Sequence, residues 1–235
     1  MVRIAVLDLT RHPVPMLEGL PSVGEQTVEW IAPAMSDAEF ARIDVAEGGA
    51  PMPRLDTFDG LLLTGSEFGV YDDTPWMEPL RQLLRDTKVV GKPIFGICFG
   101  HQIMADTFGG KAEKTVGGNV VGVRQFDLNG IEVDAHVWHQ DQVTQVPPNA
   151  KVTGIADYCP VGALEYDFPA ASVQFHPEHT KKHISDVFAR AQGQSGFPND
   201  AEMAAALASF DAGDVKADLM TEKVAKFFRV HAANL

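Results

Sequence analysis

Two segments of the chain carry residue types that can do covalent chemistry. The first is Gly96-Ile97-Cys98-Phe99-Gly100-His101-Gln102, in which a cysteine stands between two glycines with G-x-nucleophile-x-G spacing. It follows the apolar run Pro93–Ile97 and precedes a helix-forming stretch that ends at Gly109-Gly110. A sharp strand-to-helix turn presents such a side chain at the carboxyl edge of a sheet, and the positive end of the following helix favours the reactive thiolate. A cysteine after a strand, taken alone, is more often a small buried hydrophobe. The flanking glycines make the nucleophilic reading the stronger one here. The second segment is Gln174-Phe175-His176-Pro177-Glu178, just past another apolar strand. A thiol nucleophile needs a general base and a group to orient that base, and His176 and Glu178 supply both across one proline. His-Pro-Glu by itself suits a solvated loop equally well; with the Cys98 turn it reads as the other half of a site.

These residues need a scaffold that brings strand ends together. Arg3–Leu9, Thr27–Ile31, Gly60–Thr64 and Pro93–Ile97 read as strands. The runs at 60 and 93 lack alternation, which suits strands buried on both faces of a parallel sheet. Pro75–Lys88 has apolar residues at helical spacing (Trp76, Leu80, Leu83, Leu84), with Pro75 in the first turn. Short strands then follow at Asn119–Asp127, Ile131–Trp138, Lys151–Ala156 and Gly162–Glu165, and Asn129-Gly130 is a hairpin signal. A last strand, Ala171–Phe175, leads into His176. The expected fold is α/β: an open, mostly parallel sheet flanked by helices, with an added antiparallel strand region and a C-terminal helical tail.

The tail begins at Gly193-Gln194-Ser195-Gly196-Phe197-Pro198, which divides residues 1–192 from a helical extension, 193–235. Asn199 and Glu202 have capping-box spacing. Val215, Leu219, Met220, Val224, Phe227 and Phe228 are expected on one face of a second helix, packed on the body or, as the alternative, forming a partner or homodimer face.

Composition narrows the function. The 235 residues are 45% hydrophobic and carry a formal net charge of −13, so phosphate backbones and anionic lipid surfaces are poor partners. The longest apolar runs fall short of a membrane span, the start Met1-Val2-Arg3-Ile4 has no secretory pattern, and two cysteines make no disulfide framework. A reducing, cytoplasmic location is the expectation. Cys98-x-x-His101 and His176-x-Glu178-His179 offer zinc-ligand types, but neither cysteine has a close cysteine neighbour, and no metal or cofactor is expected. Cys159 reads as an inert loop or strand-end thiol, and Gly117-Gly118-Asn119 lacks the Gly-Lys-Ser/Thr ending of a phosphate loop.

The Cys98 turn and Phe175-His176-Pro177-Glu178 resemble the nucleophile and base motifs of the class I (triad) glutamine amidotransferase family. Phe58–Ser66 resembles that family's strand and oxyanion loop, and Trp138-His139-Gln140-Asp141-Gln142-Val143 is similar to a segment of its GMP synthetase branch. The resemblance implies hydrolysis of the γ-amide of L-glutamine: Cys98 attacks the carbonyl, His176 moves protons, Glu178 orients His176, and a γ-glutamyl thioester releases ammonia before water clears it. It places the oxyanion donors at Phe99 and the Gly65-Ser66 loop, and substrate contacts at Gln102, His139, Gln140 and Asp141. Where the family has two glycines and a proline, this chain has Gly65-Ser66-Glu67, and serine resists backbone angles that glycine allows.

Three readings follow. One is a glutaminase supplying ammonia to a separate synthase partner chain. The second is a γ-glutamyl hydrolase or peptidase acting on γ-glutamyl peptides or amines, for which the 65–76 loop would wall a pocket beyond the scissile carbonyl. The third is a non-catalytic interaction module, against which the full Cys98, His176 and Glu178 set argues.

Overall fold

The computed structural model describes residues 1–232 apart from 14–15, 117, 195–196, 214 and 216. Gly117 of the glycine pair, Ser195 and Gly196 of the expected boundary segment and the last three residues lie outside the described residues.

The strands are β1 (Val2–Asp8), β2 (Ala38–Asp44), β3 (Gly60–Leu63), β4 (Ile94–Ile97), β5 (Lys111–Lys114), β6 (Val120–Asp127), β7 (Glu132–His139), β8 (Asp141–Gln145), β9 (Ala150–Ala156), β10 (Cys159–Tyr166) and β11 (Ala170–Val173). The helices are α1 (Val23–Ile31), α2 (Met77–Val89), α3 (Phe99–Thr107), α4 (Lys181–Ala191), α5 (Asp200–Ala212) and α6 (Ala217–Ala232). The main sheet runs β2-β1-β3-β4-β11-β10-β9-β6-β7. Its first five strands pair in parallel and the remaining pairs are antiparallel. A separate ribbon pairs β5 with β8. The carboxyl ends of β3, β4 and β11 are therefore neighbours, and that edge is where Gly65, Cys98 and His176 emerge.

Burial explains the layers. The all-apolar β3 and β4 are buried along their length. On one face α2 and α3 bury Leu80, Leu84, Phe99 and Ile103 against Leu61 and Leu63. On the other, Ile31 of α1 and Met220, Val224 and Phe228 of α6 pack on Ile4, Val6 and Leu62. A third cluster joins Ile184 and Phe188 of α4 with Met203 and Phe210 of α5 over Val121 and Val123 of β6. The tail thus contributes to two of the apolar clusters.

Several sequence expectations need correction. Thr27–Ile31 is helical: Ser22 Oγ accepts from the Glu25 N–H at 3.2 Å and Glu25 Oε2 accepts from the Ser22 N–H at 2.7 Å, a reciprocal capping box that starts α1 despite the β-branched residues. Val215 lies before α6 rather than on its face, forming an isolated bridge to Asp134. The strands β2, β5 and β8 and the helix α4 were not anticipated from the sequence. The Asn129-Gly130 turn takes the expected form, with φ of 56° and 86°, and Asn199 caps α5 with Glu202 reciprocating.

Candidate active site

Cys98 sits between β4 and α3 with φ 50° and ψ −102°; among the described non-glycine residues only Asn129 shares a positive φ. Such strain persists where the surroundings over-determine it. The crowding that does so is visible at the flanking glycines. A Cβ on Gly96 would stand 2.6 Å from the Gly100 carbonyl and from Met104 Sδ, and one on Gly100 would stand 2.9 Å from Leu63. Glycine at both positions lets α3 lie directly on β3 and β4 and turns the Cys98 side chain off the sheet edge.

Beyond β11, the His176 N–H donates to the His136 carbonyl at 2.8 Å, fixing the segment to β7. His176 Nδ1 lies 2.7 Å from Glu178 Oε1, and both side chains are buried. Burial pulls the imidazole's pKa down, but the Glu178 carboxylate and the Cys98 thiol outweigh it and raise it well above the ordinary histidine range. His176 Nε2 is buried without a hydrogen-bond partner among the described residues. Gly65 links the two residues in space: a Cβ there would lie 3.5 Å from Cys98 Cβ and 3.7 Å from His176 Nε2. In this resting arrangement the Cys98 thiol donates to the Trp138 carbonyl at 3.8 Å, and its sulfur accepts from Gln174 Nε2 at 3.6 Å.

The Gly65-Ser66 loop is held from below. Ser66 Oγ donates to the Leu9 carbonyl at 2.6 Å and accepts from the Phe68 N–H at 3.2 Å, so the hydroxyl pins the loop to the end of β1. Neither Gly65 nor Ser66 takes a positive φ. Glycine is required at 65 for space, since a Cβ would press to 2.8 Å from His176 Cε1, whereas Ser66 fits without backbone strain. The Phe99 N–H is the first of α3 and has no acceptor within the helix.

The remaining expected residues line the same cleft. Cys98, Gly65, Ser66, Gln102, His139, Gln140, Asp141 and His176 border one open space of about 1110 Å³, with Glu178 behind His176. Gln102 Nε2 donates to the Asp141 carbonyl at 2.8 Å and to Gln174 Oε1 at 3.2 Å, so its nitrogen is committed to the scaffold. Gln174, which carries no role in the sequence reading, thereby joins Gln102 to the Cys98 sulfur. Both ring nitrogens of His139 are engaged, with the Asp141 carbonyl at 3.0 Å and Tyr158 Oη at 3.1 Å, and burial pushes its pKa down to about 4. Tyr71 Oη donates to Asp141 Oδ1 at 3.3 Å, and burial raises the Asp141 pKa. Of the 65–76 loop, residues 65–68 form cleft wall, while Tyr71 touches the cleft only through Asp141.

The zinc-type pairs fare differently. His101 is fully buried away from the cleft, with Nδ1 2.8 Å from Ser172 Oγ and Nε2 3.1 Å from the Val161 carbonyl, and burial takes its pKa down to about 3. Cys159 opens β10 in the apolar core, where burial pushes the thiol up to about 12. His176, Glu178 and His179 do bring potential ligand atoms within 4.8 Å of one another. The two imidazoles, however, are stacked with planes 2° apart and centroids 4.2 Å apart. Their lone pairs lie in parallel planes and do not converge on one ion, and the Glu178 carboxylate is hydrogen-bonded to His176.

Residues 23–190 match the family described as glutamine amidotransferase class-I. Gamma-glutamyl peptidase 3 of Arabidopsis thaliana is 27% identical over 151 residues, covering 58% of this chain and 61% of that protein. A glutamine-hydrolyzing GMP synthase subunit from Pyrococcus abyssi is 39% identical over 116 residues, 43% of this chain and 61% of that one. The chain thus spans less than two thirds of the length of these relatives. A glutamine amidotransferase structure from Thermotoga maritima superposes with a TM-score of 0.74 over 98% of both chains at 17% identity, a likeness of fold.

Proposed function

Because the chain belongs to the class-I glutamine amidotransferase family, we propose that it hydrolyses the γ-glutamyl C–N bond through a thioester on Cys98. The observation that carries this reading is the convergence of a backbone-strained Cys98 and the buried His176–Glu178 pair on either side of Gly65. Rotation of the thiol from the Trp138 carbonyl toward His176 Nε2, the unpartnered base atom, starts the reaction. His176 Nε2 takes the thiol proton as the sulfur attacks the γ-carbonyl and passes it to the leaving nitrogen as the C–N bond breaks. The same imidazole then activates the water that releases glutamate. Glu178 keeps Nδ1 protonated and the ring in plane. The N–H groups of Phe99 and the Gly65-Ser66 loop face the developing oxyanion.

Two substrate classes fit this chemistry. The open cleft supports a γ-glutamyl conjugate with a leaving group larger than ammonia, since a carboxamide alone fills little of about 1110 Å³. The similarity to one component of a glutamine-hydrolysing synthase supports the second reading, a glutaminase passing ammonia to a separate synthase chain. Glutamate release from L-glutamine and from γ-glutamyl dipeptides, with a Cys98→Ala control, tests both. Turnover retained by the variant would overturn the mechanism.

A further inference from the structure

The proposed reaction leaves most of the cleft unused. Past His176 the lining continues along His179, then His183 and Ile184 of α4, to the Met16–Leu17 segment and to Phe197. This extension is assembled from distant parts of the chain. Met16, Trp138 and Phe197 each pack on the α4–α5 cluster, are partly exposed and line the cleft. Trp138 meets Phe188 edge-on at 5.3 Å and Phe197 at 6.0 Å. Arg190 Nη1 donates to the Glu18 carbonyl at 2.6 Å and to the Met16 carbonyl at 3.3 Å, tying the loop after β1 to the last turn of α4. The apolar wall begins at the nucleophile, because the Trp138 carbonyl is the group that holds the Cys98 thiol.

Direction and charge select the occupant. His176 must deliver its proton to the leaving nitrogen, and the space beyond His176 is the α4 side of the cleft, so the leaving group points there. No carboxylate belongs to the wall formed by Met16, Leu17, Trp138, Ile184 and Phe197. Glu67 Oε1 is salt-bridged to Arg11 at 2.6 Å, Asp141 accepts from Tyr71, and Glu47 is exposed.

We propose that the space between Met16, Leu17, Trp138, Ile184 and Phe197 is a subsite for an apolar leaving group, so that the preferred substrates are γ-glutamyl amides of hydrophobic amines or amino acids. This rests on the γ-glutamyl hydrolase reading above. The reaction balances as γ-glutamyl–NH–R plus water giving glutamate and R–NH2: the C–N bond breaks as the C–S bond forms, His176 protonates the departing nitrogen, and water replaces sulfur.

The test compares γ-glutamylphenylalanine with γ-glutamylglycine, which differ only in the leaving residue's side chain. The expected kcat/KM ratio favours phenylalanine by at least ~10-fold in the full chain. Phe197→Ala and Met16→Ala each lower that ratio several-fold, and Phe197→Leu keeps most of it. A ratio at or below one, or a ratio unmoved in both alanine variants, overturns the subsite. Ammonia release from glutamine with neither dipeptide cleaved also overturns the subsite and leaves the reaction standing. Silence on all three substrates overturns the reaction, and the subsite with it.

Discussion

The imidazole of His179 lies flat on that of His176, with planes 2° apart, yet only His176 Nδ1 hydrogen-bonds Glu178 Oε1, at 2.7 Å, while His179 Nδ1 stands 3.9 Å from that oxygen. Burial, and then the neighbouring His176, push the His179 pKa well below the ordinary range. The cationic form is thus disfavoured on His179 and favoured on His176, and Glu178 serves His176 alone. The stack confines the plane of the His176 ring.

If stacking is what matters, His179→Phe retains most activity, whereas His179→Ala lowers kcat on the order of 10-fold with KM little changed. Steady-state kinetics at constant pH checks this. Equal losses in the two variants would remove stacking from the account.

Gly65→Ala is expected to lower kcat by about 100-fold, because the added methyl stands 2.8 Å from His176 Cε1 and displaces the ring. Gly65 has no positive φ, so the backbone is unstrained and the melting temperature should fall only by the few degrees that one crowded methyl costs. Full activity in Gly65→Ala would show that the imidazole is not confined as described.

Acid should destabilise the fold above the usual carboxylate range. Burial lowers the pKa of His101 to about 3 and of His136 and His139 to about 4, whereas these residues titrate near 6.5 when unfolded. Their contribution is complete above the unfolded value and is lost as pH falls below it. His176, raised by its partners, works in the opposite sense, its contribution fading as pH rises through its folded value. With His179 and His183, which burial also lowers, five groups against one predict a fall in Tm of at least on the order of 10 °C between about pH 7 and about pH 5. A flat Tm over that interval, followed by calorimetry, would contradict the buried neutral assignments.

The strand ends and the site were legible because each carried a local signature. The elbow glycines around Cys98, the His176-Pro177-Glu178 run and the Asn129-Gly130 turn all impose backbone or packing demands that few other residues meet. The remaining elements are decided elsewhere in the chain. Thr27–Ile31 has strand-forming residues, and the Ser22–Glu25 capping box that overrides them lies outside that window. β2 has a mixed pattern of exposure, and its pairing with β1 organises it. Gln174 reads as one polar residue after a strand; only the fold shows it bridging Gln102 and Cys98. The stacking of His179 is likewise invisible in sequence, since adjacency along the chain does not predict parallel rings.

The tail should be inseparable from the body. Phe228 is fully buried, and a Cβ on Gly60 of β3 would stand 2.9 Å from its ring. Phe228→Ala is expected to cost about 3–5 kcal/mol by denaturant titration. A chain ending at 192 would uncover Ile4, Val6 and Leu62 and should be insoluble or molten. A well-folded truncated chain would contradict this packing.

The central claim is that Cys98 carries the acyl group. Acid-quenching the protein during turnover of a γ-glutamyl substrate and measuring intact and peptide masses tests it directly. The account predicts a γ-glutamyl adduct on the peptide containing Cys98, absent from Cys98→Ala, which also loses turnover. An adduct on Cys159, or turnover surviving in Cys98→Ala, would contradict it.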